Sequence, residues 1–109
     1  MAYDEKLAGR LRKALRGAGT VSEKKMFGGI AFMLNGNMCC GVINDLLMAR
    51  VGPEAYSGAL ERPYARPMDF TKRPMKGYVY VEPDGLRSDE ELREWVGRCV
   101  GFVRTLPKK

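Results

Sequence analysis

Cys39 and Cys40 are the adjacent side chains of this chain best suited to do chemistry, and Cys99 adds a third thiol. A thiolate is both a nucleophile and a soft metal ligand. Neighbours on a strand project to opposite faces, so Cys39 and Cys40 are not expected to hold one ion together. The chain contains no histidine to complete a zinc set or to act as a base near neutral pH. An odd number of cysteines without a spaced framework is poor material for a disulfide-stapled secreted domain. Three reduced thiols, packed as small hydrophobes, are therefore expected. Redox sensing would need an exposed strand face at Cys39 or Cys40.

The remaining reactive groups are scattered. Asp45 falls in a turn and Asp69 in a proline-rich loop, and no spacing fixes one acid beside another for general acid–base work. Gly28-Gly29 is not followed by the Lys-Ser/Thr of a phosphate loop, and no G-x-G-x-x-G occurs. No catalytic residue, no metal site and no cofactor is read from the chain, which argues against an enzyme.

Charge is a better lead. Nineteen Lys and Arg oppose thirteen Asp and Glu, a net +6. Within residues 62–76, Arg62, Arg66, Lys72, Arg73 and Lys76 face only Asp69, so five minus one leaves +4. Together with Lys24 and Lys25 these residues are the nucleic-acid-binding candidates, with Tyr64, Phe70, Tyr78 or Tyr80 available to stack on bases. The plainer reading is a solvated loop whose arginines pair with acids of nearby helices.

These groups are positioned by elements that the pattern defines. Asp4 can cap a helix over 4–17, where Leu7, Ala8, Leu11, Ala14 and Leu15 recur at helical spacing and Gly17 and Gly19 supply the stop. Its outer face, Lys6, Arg10, Arg12, Lys13 and Arg16, is basic. Strands are predicted at 25–34, 37–43 and 46–51, joined by Asn35-Gly36 and Asn44-Asp45, which tolerate the positive φ of tight hairpin turns. Gly28-Gly29 near the head of the first strand permits a bulge or the close approach of another backbone. Gly52-Pro53-Glu54 starts a short helix over 53–60. Three prolines then leave room for one brief strand near 67–71, and a fifth strand is predicted at 75–82. Ser88 and Glu91 have capping-box spacing before a helix over 88–105, with Trp95 beside its apolar stripe as a packing residue.

The sum is one α+β domain over 1–109, two-layered, in the order α-β-β-β-α-β-β-α, with a five-stranded, mainly antiparallel sheet. Both faces of its strands are apolar. Ile30, Phe32 and Leu34 oppose Ala31 and Met33; Met38, Cys40 and Val42 oppose Cys39 and Ile43; Leu46 and Met48 oppose Leu47, Ala49 and Val51. Three helices cover one face of such a sheet, so either a helix crosses over or the far face meets another chain. Met33, Cys39, Met48, Tyr78 and Tyr80 are the interface candidates, with a protein partner or a homodimer as occupant. The charged amino-terminal turns leave no segment for a signal peptide or membrane span, so a cytoplasmic location is expected.

Five linked motifs carry a resemblance: Lys24-Lys25-Met26-Phe27-Gly28-Gly29, Asn35-Gly36-Asn37-Met38, Val51-Gly52-Pro53-Glu54-Ala55-Tyr56, Arg66-Pro67-Met68-Asp69-Phe70-Thr71 and Pro74-Met75-Lys76-Gly77-Tyr78. In this order, over roughly residues 3–106, the chain resembles the TfoX (Sxy) amino-terminal domain family in its short, stand-alone bacterial branch. The resemblance implies the same helix and strand order. It also implies a link to a competence regulator that assists a cyclic-AMP-responsive transcription factor, through a longer protein with a carboxyl-terminal domain expected to be missing here. Short relatives often carry histidine at Tyr64 and glycine at Lys72, and the chain departs from them there. The resemblance brings no catalytic residues.

Overall fold

Asp4 opens the first helix as its type and place predict. In the computed structural model, which describes residues 3–26, 28–68 and 77–107, its carboxylate accepts the backbone N–H groups of Lys6 (2.9 Å) and Leu7 (3.2 Å). Two donors that the first turn would otherwise leave unpaired are thereby satisfied. Helix α1 runs Glu5–Ala14 and buries Leu7, Ala8 and Leu11. It stops before residue 17 because a turn leads into Gly17 at φ +82°.

The predicted first strand is two strands. β1 (Val21–Met26) and β2 (Gly29–Leu34) pair antiparallel, and Gly28, just before β2, has φ +74°. β1 escapes the hydrophobic pattern because Ser22, Glu23, Lys24 and Lys25 are all exposed. Backbone pairing along a sheet edge holds it, and needs no apolar alternation. β3 (Asn37–Ile43) and β4 (Leu46–Arg50) follow as predicted. Asn35 (φ +53°) and Gly36 (φ +85°) form the left-handed pair that a two-residue hairpin demands, and Asn44 (φ +53°) begins the next turn.

Helix α2 is shorter than predicted, Tyr56–Leu60, because residues 53–55 form a turn and no side chain caps the helix start. The short strand after it is β5 (Ala65–Pro67), two residues earlier than predicted; residues 69–71 of the predicted strand lie outside the described residues. β6 covers Tyr78–Val81, a 3-10 turn covers Pro83–Gly85, and α3 covers Asp89–Val103. The capping box forms in full: Glu91 N–H donates to Ser88 Oγ (3.1 Å) and Ser88 N–H to Glu91 Oε1 (3.3 Å).

The α+β class and the two layers hold, with six strands in place of five. The sheet order is β1-β2-β3-β4-β6-β5, and every neighbouring pair is antiparallel. The three helices among the described residues lie on one face. Leu11 of α1, Ala59 of α2 and Val96 of α3 share a single cluster with Phe32, Val42, Leu47 and Val79.

One exposed ion pair ties α1 to the β1 edge. Arg12 donates through Nε (2.6 Å) and Nη2 (2.8 Å) to the Glu23 carboxylate and stands 5.8 Å over the Phe32 ring. The hydrogen bond from Arg12 holds the Glu23 carboxyl below its ordinary range, against a smaller opposing effect of burial. A depressed carboxyl pKa adds stability above the unfolded pKa, and that stability is lost as pH falls through the folded one. Because both side chains are well exposed, Glu23→Gln is expected to remove only about 0.5 kcal/mol at neutral pH. Urea melts at a series of pH values check this: the gap between the two proteins should close in acid, and a gap that persists there would assign the effect to packing.

Candidate interaction surfaces

The helix-free face of the sheet is built by alternation along β2, β4 and β6. Opposite the buried Phe32 and Leu34 stand Ala31 and Met33; β4 adds Leu46, Met48 and Arg50, and β6 adds Tyr78 and Tyr80. Met48, Met68 and Tyr80 form a second buried cluster, against which half-buried Met38, Ile43, Leu46 and Tyr78 pack. Among the described residues no helix crosses to this face. The chain covers part of it with its own flexible side chains, as where the Met48 methyl lies over Gly41. Cations border it. Arg66 sits 5.8 Å from the Tyr80 ring, Arg50 sits 5.5 Å from the Tyr78 ring, and Lys24 shares the face through its pairing with Ala31.

Met33, Met48, Tyr78 and Tyr80 thus share the helix-free face, whereas Cys39 lies on the other side. Phe32 pairs with Cys40 and Met33 with Met38, so Cys39 is an extra residue with no partner on β2, a β-bulge. It joins Cys40 and Val42 in the helix-side core, and Met38 moves to the far face beside Ile43. The expectation that Cys39 and Cys40 point apart fails for this reason. Cys39, Cys40 and Cys99 are all free and buried. A hydrogen bond with Cys40, and then the nearby Arg50 charge, lower the Cys39 thiol below its ordinary pKa despite burial. Its bond with Cys39 and burial raise Cys40 well above the ordinary value, and burial raises Cys99. All three have no exposed surface, so the folded chain gives a reagent no direct path to them.

Among the described nucleic-acid candidates, Lys24 and Lys25 stand apart from Arg66. Lys24 and Lys25 lie on β1 and Arg66 on β5, the two edges of a six-stranded sheet. Five strand spacings place those edges about 24 Å apart. Lys72, Arg73 and Lys76 lie outside the described residues. Arg62 is paired with Glu94 of α3 at 2.9 Å, as the solvated-loop reading predicts. Beside this pair, Tyr64 and Trp95 border a hollow of about 140 Å³. Tyr64 has φ +67° and is 48% exposed, the one large exposed hydrophobic among the described residues.

Sequence reasoning missed a groove between α1 and α3. Two adjoining hollows of about 280 and 370 Å³ share Ala14 and Arg93. Arg93 and Arg104 come from α3 and the turn after it, some eighty residues from the basic face of α1, and no linear spacing links the two segments. The basic face of α1 was the available signal. Among the described residues no group of three Cys, Asp or Glu is placed to hold a metal ion, and no helix is long and apolar enough to cross a membrane.

Comparison with known proteins gives one positive result, a family model described as TfoX N-terminal domain that matches residues 13–103. The comparison with curated proteins gives no match, and neither does the comparison with solved structures.

Proposed function

This chain belongs to the TfoX N-terminal domain family, and from that premise we propose that it works by docking onto another protein, not by turning over a substrate. The family is not a known enzyme family. The observation that carries the reading is the chemistry of the helix-free face. An antiparallel sheet that faces water on one side alternates apolar with polar, yet here that side holds Met33, Met38, Ile43, Leu46, Tyr78 and Tyr80. Methionines can repack against more than one shape, which suits a recognition surface. A second copy of the chain meets the apolar half of this requirement. A different protein, with acids around an apolar patch, also answers Arg50, Arg66 and Lys24. In the setting that family membership suggests, that protein is a transcription factor and the role is regulatory, in competence or a related response within the cytoplasm.

Leu46→Lys tests the reading, since Leu46 is half-buried at the border of the patch and a lysine there leaves the helix-side core untouched. Light scattering over a dilution series and affinity capture of cytoplasmic proteins are the measurements. The native chain is expected to self-associate or capture a partner, and the variant to need at least about ten-fold higher concentration for the same occupancy. A native chain that stays monomeric and captures the same proteins as the variant sinks the reading.

A further inference from the structure

The groove between α1 and α3 is a separate surface, on the opposite side of the molecule's sheet. Its rim is cationic on both sides, with Arg10, Lys13 and Arg16 from the α1 segment and Arg93 and Arg104 from the α3 segment. Among the described residues Asp89 is the one acid that lines it, at its amino-terminal end, 3.5 Å from Arg10. Five cations less one acid leave +4. Arg104 is used within the chain, donating to the Ala18 carbonyl at 2.8 Å. Lys13, Arg16 and Arg93 make no ion pair among the described residues. The contrast lies elsewhere on α3, where Arg98 is balanced by Glu94 one turn away at 3.2 Å.

The floor is apolar and low. Ala14, Leu92, Val96 and Val100 form it, and Gly97 interrupts it in mid-helix. A glycine within a helix lowers stability by about 1 kcal/mol relative to alanine. Nothing in the fold requires it here, because a Cβ at Gly97 would meet no atom within 4 Å. Asp89 to Arg104 is sixteen residues, whose fifteen helical rises make a groove about 22 Å long.

We infer that this groove receives an acidic amphipathic helix of a partner protein. Its apolar stripe lies on the floor with a large side chain over Gly97, and its acidic flanks meet the two cationic rims. A helix of about four turns fills the length. A nucleic-acid strand fits less well, because among the described residues no aromatic side chain lines the groove to give bases a stacking platform.

The probe is a fluorescein-labelled peptide of about 18 residues, roughly five turns, with leucines at every third and fourth position and glutamates on the flanks. A scrambled peptide of the same composition and a single-stranded DNA oligonucleotide are its competitors. Anisotropy in low salt is expected to show the amphipathic peptide binding at least about ten-fold more tightly than the scrambled one. Gly97→Leu, which adds a side chain into open space and keeps every charge, is expected to weaken binding at least about ten-fold. The pair Lys13→Glu with Arg93→Glu, both exposed, is expected to do the same, and circular dichroism verifies that each variant is folded. Three results overturn the inference: no peptide binding, equal binding of scrambled peptide or DNA, or binding that Gly97→Leu leaves unchanged. None of them bears on the helix-free face, which Leu46→Lys tests separately.

Discussion

Gly29→Ala is expected to destabilise the domain by about 3 kcal/mol or more and to lower its melting temperature by about 12 °C or more. A Cβ at this position would run into the carbonyl oxygen of Val42 and crowd the Ile43 Cα, and all of these are backbone atoms. A flexible side chain could turn aside, whereas a strand can yield only by opening the β2–β3 ladder. The same substitution at Gly97, where the added carbon meets nothing, is expected to raise stability by about 0.5–1 kcal/mol. Thermal and urea melts of the two alanine variants thus carry opposite signs. A Gly29→Ala protein as stable as the parent would mean that the two strands do not approach so closely.

Phe32→Ala is expected to remove about 3–5 kcal/mol, the transfer energy of the ring together with the cavity left behind. Among the described residues Phe32 is the largest fully buried side chain, and it belongs to the cluster that α1 and α3 share. The loss would take a large part of the stability of an ordinary single domain, about 5–15 kcal/mol in total. Trp95, the single tryptophan and itself buried in that cluster, reports unfolding by its fluorescence. Phe32→Leu keeps most of the volume and should lose less than about 1.5 kcal/mol. Near-equal losses for alanine and leucine would show that the ring is not close-packed.

Much of this fold was legible because its signals are local. Asp4, Ser88 with Glu91, and Asn35-Gly36 each specify a cap or a turn through their own side chains and backbone angles, and each forms where the sequence places it. β1 was not legible, since a strand with four exposed polar residues in a row leaves no period for its neighbours to impose. The phase of β3 was hidden for the opposite reason. Met38, Cys39 and Cys40 are all apolar, so an extra residue among them leaves no mismatch in the pattern. The surfaces divide the same way. The apolar far face could be read from two-sided alternation, while the cationic groove depends on two segments meeting from near the two ends of the chain. The basic candidates at 24–25 and 62–76 share one sign of charge, but sheet order sets Lys24 and Lys25 on the edge opposite Arg66.

The unpaired position of Cys39 bears on how this sheet can change over descent. Asn37 and Cys40 already stand on the same side as their partners Leu34 and Phe32, with Met38 turned the other way. Removing residue 39 would leave that alternation unbroken, so the two flanking stretches would keep their orientation. Elsewhere along these ladders, losing or gaining one residue inverts everything beyond it. Residue 39 is therefore where a lineage can shorten this strand without rewriting its neighbours.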